Sequence, residues 1–309
     1  MEFIDLHCDV PSRIYYENKQ LRKNDFSVDI EKLKKGNAMA QFFAFFIESS
    51  KCKARDEFLK MYAKFMEEVN KNSEIALAKN IKDLYKNRNE GKISAFLTIE
   101  EGAVLDGNIN NLYDAYEKGI RLITLTWNYE NEIGYPSRNK NFINKGLKEF
   151  GIDLITEMNR LGIAIDVSHL SDGGFYDVIQ NSKFPILASH SNSRSITNHP
   201  RNLTDEMIRL LGNNGGIMGL NYCAEFIGTK KITAIEDIVN HMQHIVNVGG
   251  EDIIALGSDF DGIENEVEIN NPGEMYKLIN ALEQKGYKED FIEKLFYKNS
   301  ERFIKDTLK

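Results

Sequence analysis

His7 and Asp9 stand two residues apart at the end of the apolar run Phe3-Ile4-Asp5-Leu6. An extended strand alternates its side chains, so the pair shares one face and Cys8 takes the other. An imidazole beside a carboxylate is half of a divalent-metal site. Four later segments end in groups of the same kind: Glu100 in Thr98-Ile-Glu-Glu-Gly102, His169 in Ile165-Asp-Val-Ser-His169, His190 in Ala188-Ser-His-Ser191 and Asp259 in Gly257-Ser-Asp-Phe-Asp-Gly262. Three imidazoles with two or three carboxylates match the ligand preference of zinc. They are too many for one tetrahedral ion, so two zinc ions are expected, with Glu100 the candidate bridge.

Two such ions about 3.5 Å apart can bind one water between them and lower its pKa, giving hydroxide near neutral pH, and one ion can polarise a substrate carbonyl. Asp259, outside the ligand pairs, is placed to pass a proton to a leaving amine. Trp127 and Asn128 can each offer an N–H to a tetrahedral oxyanion, although Trp127 can equally be a packing aromatic. Arg201, in Asn198-His-Pro-Arg-Asn202, could clamp a free carboxylate bidentately. His199, His241 and His244 are read as structural, the last two on the outer surface of a helix. Glu101 should point away from Glu100. Asp5 shares a face with His7 and could orient it or simply fill a buried layer; Asp261 could support the site or belong to its loop.

These residues need a scaffold that gathers strand ends. Strand-like runs occur at 3–9, 39–47, 93–100, 121–127, 163–169, 185–190, 215–222 and 253–259. Helix-like stretches separate them at about 55–88 in two pieces, 109–118, 146–161, 172–182, 204–213, 234–248 and 273–285, with a last helix over 290–306. Eight βα units in series predict an α/β fold, a (β/α)8 TIM barrel occupying 1–309 as one catalytic domain. A doubly wound open sheet would show a Gly-rich phosphate loop after its first strand, and none follows Asp9. The strands read as near-continuous apolar runs, as parallel strands covered on both faces do. Thr204-Asp205-Glu206 marks a helix start, and Gly162 a helix end. The long connections 128–145, 191–203 and 260–272 all follow strands, on the face where barrel enzymes build their sites.

Composition narrows the partners. The chain has 309 residues, 42% hydrophobic, enough for a large core. Its 39 basic and 47 acidic residues give a net charge of −8, which argues against nucleic acid or an anionic membrane as partner. Cys8, Cys52 and Cys223 form no disulfide framework, which suits a reducing cytosol. No secretory signal, membrane span or lipid-anchor tail is read from the sequence, so a cytoplasmic protein is expected.

Taken together, several segments in one order resemble the membrane (renal) dipeptidase family, the M19 metallopeptidases. They are Asp5-Leu-His-Cys-Asp9, Ala40-Gln41-Phe42, Thr98-Ile-Glu-Glu-Gly102, Leu122-Ile-Thr-Leu-Thr-Trp127, Glu157-Met-Asn-Arg-Leu-Gly162, Ile165-Asp-Val-Ser-His169, Ala188-Ser-His-Ser191, Pro200-Arg-Asn202 and Gly257-Ser-Asp-Phe-Asp-Gly262. The resemblance implies a metal-dependent hydrolase barrel holding two zinc ions: His7 and Asp9 on one, His169 and His190 on the other, Glu100 bridging. It places Arg201 at the substrate's C-terminal carboxylate and Asp259 at the proton shuttle. It implies a small dipeptide substrate, D-residues tolerated at the C-terminal position, and a homodimer. Some members open β-lactams. The chain departs from the mammalian pattern at Trp127, where those members carry a histidine that is a proposed oxyanion partner. It departs again in Gly219-Leu-Asn-Tyr-Cys-Ala224, where Tyr222 is expected to meet substrate and Cys223 replaces a tyrosine. An amidohydrolase or lactonase acting on a non-peptide substrate is the alternative.

Overall fold

The computed structural model describes residues 1–229 and 231–309. Its strands, in chain order, are β1 (Phe3–Cys8), β2 (Ala38–Phe46), β3 (Ile75–Leu77), β4 (Ile93–Glu100), β5 (Ile120–Thr124), β6 (Ala164–Asp166), β7 (Leu187–Ala188), β8 (Ile217–Leu220), β9 (Ile232–Thr233), β10 (Ile254–Leu256) and β11 (Glu266–Val267). Parallel pairing runs β1, β2, β4, β5, β6, β7, β8, β10 and back to β1, closing an eight-stranded (β/α)8 barrel. The short β3 pairs with Ile93–Ala95 at the bottom of β4, below Leu97 where β5 begins its own pairing. β9 and β11 form a separate two-stranded ribbon.

Side-chain alternation sorts the residues into two cores. Outside the strands, Phe43 and Phe45 of β2 pack on Phe58 and Phe65 of the helix Ala54–Lys71, whose apolar residues recur every three or four positions. A second cluster gathers Ile4, Phe42, Phe96, Leu122, Ala164 and Leu187 from successive strands with Phe303, Ile304 and Leu308, so the last helix plugs the barrel. Above this apolar layer the same strand faces turn polar. β4 runs Phe96, Thr98, Glu100; β5 runs Leu122, Thr124; β6 runs Ala164, Asp166. The barrel interior is thus oil-like at one end and ionisable at the other, and its layers are filled by side chains.

Several sequence expectations shift. The stretch 55–88 is two helices, Ala54–Lys71 and Ile81–Asn89, but β3 lies between them. Two helices, Val10–Glu17 and Ile30–Lys35, fill the segment between β1 and β2, for which no helix was expected; Pro11 sits in the first turn of one, and the Asp29 carboxylate accepts the Lys32 N–H to cap the other. Thr204 caps its helix by accepting from Met207 N, and Gly162 ends another at φ +75°. The ladders of β5, β6, β7 and β10 stop before the expected strand ends. Trp127, His169, His190 and Asp259 therefore stand two or three residues beyond regular pairing. For two of them the reason is local: His169 and Asp259 adopt positive φ (68° and 63°), which no strand continues.

Gly219 and Gly257 allow the strands around Ser189 to approach. A Cβ on Gly219 would lie 2.0 Å from the Ser189 carbonyl oxygen, and one on Gly257 would lie 1.9 Å from the same atom. That oxygen belongs to the backbone and cannot swing away. Gly219→Ala is therefore expected to destabilise the fold by about 2–3 kcal/mol, seen in urea unfolding as a lower midpoint at unchanged slope.

Candidate metal centre

β1 delivers His7 and, one residue past the strand's end, Asp9 to the barrel's rim; β4 delivers Glu100, and the turns after β6, β7 and β10 deliver His169, His190 and Asp259. Their polar atoms converge. His7 Nε2 lies 3.1 Å from Glu100 Oε2, 3.4 Å from Asp9 Oδ2 and 3.9 Å from Asp259 Oδ1. The other oxygen, Glu100 Oε1, lies 3.1 Å from His169 Nε2 and 3.5 Å from His190 Nε2, and these two nitrogens are 3.1 Å apart. Ligand atoms of His7, Glu100 and His190 all fall within 4.8 Å of one another, as do those of His7, Asp9 and Asp259. All six residues are buried.

The donor set fits a metal. Both ring nitrogens of His7 and Oδ1 of Asp9 are buried without a hydrogen-bond partner, a costly state for polar atoms unless something else satisfies them. His169 Nδ1 lies 3.2 Å from Asn128 Oδ1, and His190 Nδ1 lies 2.7 Å from Ser189 Oγ. Each such contact, with Nδ1–H donating, leaves the Nε2 lone pair turned inward. Burial, reinforced by Arg201, holds His169 well below the usual histidine range, and burial with His7 lowers His190, which favours the neutral ring that a metal would need. Burial also raises Asp9 well above the carboxylate range, with Glu100 beside it adding to the shift. Burial works against charge on His7, yet Glu100 and Asp9 outweigh it and raise its pKa well above the ordinary value. Burial likewise opposes charge on Glu100, but the three imidazoles hold it well below its usual range. The cluster of carboxylates around His7 thus favours positive charge at its centre.

The backbone around the site is strained. Glu101, His169, Asp259 and Asp261 all have positive φ, a conformation that costs non-glycine residues energy and clusters at functional positions. Glu101, as expected, turns away from the site. It accepts hydrogen bonds from Ala103 N at 3.0 Å, Asn131 Nδ2 at 2.6 Å and Ser49 Oγ at 3.2 Å. Asp5 holds Ser258 and the backbone N–H of His7 at 3.3 Å, so it fixes the strand and not the ring. Asp261 accepts from Ser27 N and Val28 N at 2.7 and 3.0 Å, tying the segment before the second helix to the rim.

A cavity of 680 Å³ opens above these groups; its walls include Asp9, Glu100, Trp127, Asn128, His169 and Asp259. Trp127 stands edge-on to Phe46 at 4.7 Å, with His169 at 6.2 Å. Two expectations need correction. Tyr222, expected to meet substrate, is fully buried, packed edge-on to Phe260 with its hydroxyl toward Met275, and forms none of the cavity wall. Its neighbours face the site instead. Asn221 Nδ2 donates to Asp259 Oδ2 at 2.9 Å, and Cys223 lines the cavity. Successive side chains of extended backbone point in opposite directions, so an error of one residue reverses the assignment. His241 is not on an outer surface: it is 1% exposed and links Ser193 N at 3.2 Å to the Ile227 carbonyl at 3.1 Å. His244 pairs with Asp205 and His199 with Glu225. Arg201 is 3% exposed; it donates from Nη2 to the His190 carbonyl and from Nη1 to Ser191 Oγ, while its Nε is without a partner. The Phe226 ring, part of the cavity wall, lies 5.1 Å from its guanidinium.

The family model described as membrane dipeptidase (peptidase family M19) matches residues 1–309. The chain belongs to that family. An uncharacterized dipeptidase, C965.12, of Schizosaccharomyces pombe is 32% identical over 292 residues, which span 85% of this chain and 69% of the yeast protein. A protein from the pqqA 5′ region of Klebsiella pneumoniae, itself uncharacterized, is 36% identical over 228 residues, 71% of this chain and 84% of its own. The fold superposes on dipeptidase AC, an M19 metallo peptidase, with a TM-score of 0.93 at 24% identity over 100% of this chain and 99% of the other. It also superposes on a metallo peptidase of Rhodobacter sphaeroides, solved with a phosphinate mimic of L-Ala-D-Ala, at 0.91 and 23% identity over 99% of each chain. The family membership supports a metallo-dipeptidase. Among the described residues no helix is long and apolar enough to cross a membrane.

Asp166 and Gly262 lie in segments that carry the family resemblance and Asn221 in one that departs from it, and the residue order alone assigns none of the three a role. A Cβ on Gly262 would lie 2.0 Å from Asp9 Oδ2 and 2.5 Å from Asp259 Oδ1. Gly262→Ala is expected to weaken divalent-metal binding about tenfold, or about 1.4 kcal/mol, with the thermal midpoint nearly unchanged; calorimetric zinc titration of variant and parent checks it.

Proposed function

We propose that this chain hydrolyses the peptide bond of dipeptides, L-D dipeptides included, with two zinc ions at the rim. The observation that carries the reading is Glu100, which turns one oxygen to His7 and the other to His169. His7 and Asp9 would hold one ion, His169 and His190 the other, and Glu100 both. Bound there, zinc lowers the pKa of water and polarises a carbonyl.

The remaining work belongs to the chain. Asp259, tied down by Asn221 and 3.9 Å from His7 Nε2, would carry the proton to the leaving amine. Arg201 would meet the substrate's C-terminal carboxylate through guanidinium N–H groups beyond those given to His190 and Ser191. Trp127 and Asn128 stand on the wall beside His169. Asn128 accepts from His169 through its oxygen, which leaves its amide N–H2 to donate to an oxyanion. The Rhodobacter relative's complex with a dipeptide mimic supports a substrate of this class.

Zinc-loaded protein offered a panel of L-L and L-D dipeptides is expected to release amino acids, and a chelated control to release none. Blocking the C-terminal carboxylate as an amide is expected to remove most activity. Full activity on the amide would refute the Arg201 clamp, and no release by protein holding two ions would favour a non-peptide amide or lactone. Asp259→Asn is expected to keep both ions by metal analysis and to lose at least about a hundredfold in kcat, the scale of a proton-transfer group; unchanged kcat removes it from that role.

A further inference from the structure

Below the rim lies a fully buried carboxylate that the proposed chemistry does not use. Asp166, on β6, accepts four hydrogen bonds. Oδ1 takes the backbone N–H groups of Ser168 and Ser189, both at 2.9 Å. Oδ2 takes the hydroxyls of Thr124 and Ser189, both at 2.6 Å. Thr124 of β5, Ser168 just past β6 and Ser189 just past β7 thus converge on one group. Ser189 Oγ lies in turn 2.7 Å from His190 Nδ1.

We infer that Asp166 is a positioning residue that, through Ser189, sets the tautomer in which His190 faces the metal centre. The inference rests on the metal-centre reading given above. A serine hydroxyl has a single proton. A 2.6 Å contact between a hydroxyl and a carboxylate oxygen requires a proton between them, so the Ser189 proton is committed to Asp166. Toward His190, Ser189 can then only accept. The ring must carry its proton on Nδ1, and the Nε2 lone pair points at His169 and Glu100. The order is carboxylate, hydroxyl, imidazole, ligand position, one step longer than a carboxylate bonded directly to a ligating histidine.

Asp166→Asn makes the argument sharp. Two backbone N–H groups demand an acceptor at the Oδ1 position, so the amide oxygen stays there and the amide N–H2 falls at the Oδ2 position. That group donates to Ser189 Oγ. The serine proton is released toward His190 Nδ1, and the ring proton moves to Nε2, where it blocks a ligand lone pair. An almost isosteric change thereby inverts every donor along the line.

The experiment measures imidazole nitrogen shifts of the chelated protein by NMR, assigning His190 with His190→Gln, and zinc affinity by competition with a chelating dye. The parent is expected to show His190 protonated on Nδ1. Asp166→Asn is expected to show it on Nε2 and to bind zinc at least tenfold more weakly. Ser189→Ala alone is expected to cost less, because it imposes no wrong tautomer, and adding Asp166→Asn to it should then cost little more. A parent protonated on Nε2, an unchanged tautomer in Asp166→Asn, or an affinity loss of equal size in the Ser189→Ala background overturns the inference. Should Asp166→Asn not fold, Ser189→Thr, which keeps the hydroxyl, is expected to hold zinc better than Ser189→Ala; equal affinities overturn it. Zinc binding with no dipeptide hydrolysis would sink the dipeptidase reading and leave the tautomer result to judge this one.

Discussion

A carboxylate held ionised in the interior is the constraint that organises the upper end of this barrel. Glu100 is 3% exposed, and burial alone would neutralise it. It keeps its charge because three imidazoles surround it, and two more carboxylates, Asp9 and Asp259, crowd the same few ångströms. Such a cluster is poor as a stabilising element, since its desolvation is repaid only when every partner is in place. It makes sense as a receptor for cations. The two halves also differ in charge: His7 sits among carboxylates, whereas burial and Arg201 keep His169 neutral.

Holding that cluster shapes what surrounds it. The strand faces change from phenylalanine and leucine to threonine, serine and aspartate before they reach the ligand positions, so each ionisable group stands on a hydrogen-bonded layer and not directly on the apolar plug. Asp5 and Asp166 play matching parts on opposite sides of the barrel, each fixing backbone N–H and serine hydroxyl groups of neighbouring strands. The same demand explains the strained backbone at His169 and Asp259, where the chain must turn out of the sheet at once to aim a side chain back over the barrel's axis. It explains Gly262 too, the position where the chain runs hard against two carboxylates.

Much of this was legible in the residue order. Alternating β and α patterns give the barrel, because a parallel strand covered on both faces must be apolar nearly throughout, and because the strand-end rule then places His7, Glu100, His169, His190 and Asp259 on one rim. What failed were readings that needed the direction of a single side chain beyond a regular element. Tyr222 turns away from the site because it continues the outer face of Met218 and Leu220, whereas Asn221 continues the inner face of Ile217. His241 is buried because the loop 191–203 folds over its helix, a contact between Ser193 and His241, 48 positions apart.

The sequence by itself determined the scaffold, the chemical types of the site groups and the family, since periodicity and ligand type are properties of short segments. Only the tertiary structure decided which oxygen of Glu100 serves which imidazole, that Arg201 is buried with Nη1 and Nη2 each donating to a neighbour, and that Asp166 reaches His190 through Ser189. Those facts depend on distances between side chains on different strands. Barrel closure and strand stagger set such distances, and no local pattern of residues encodes them.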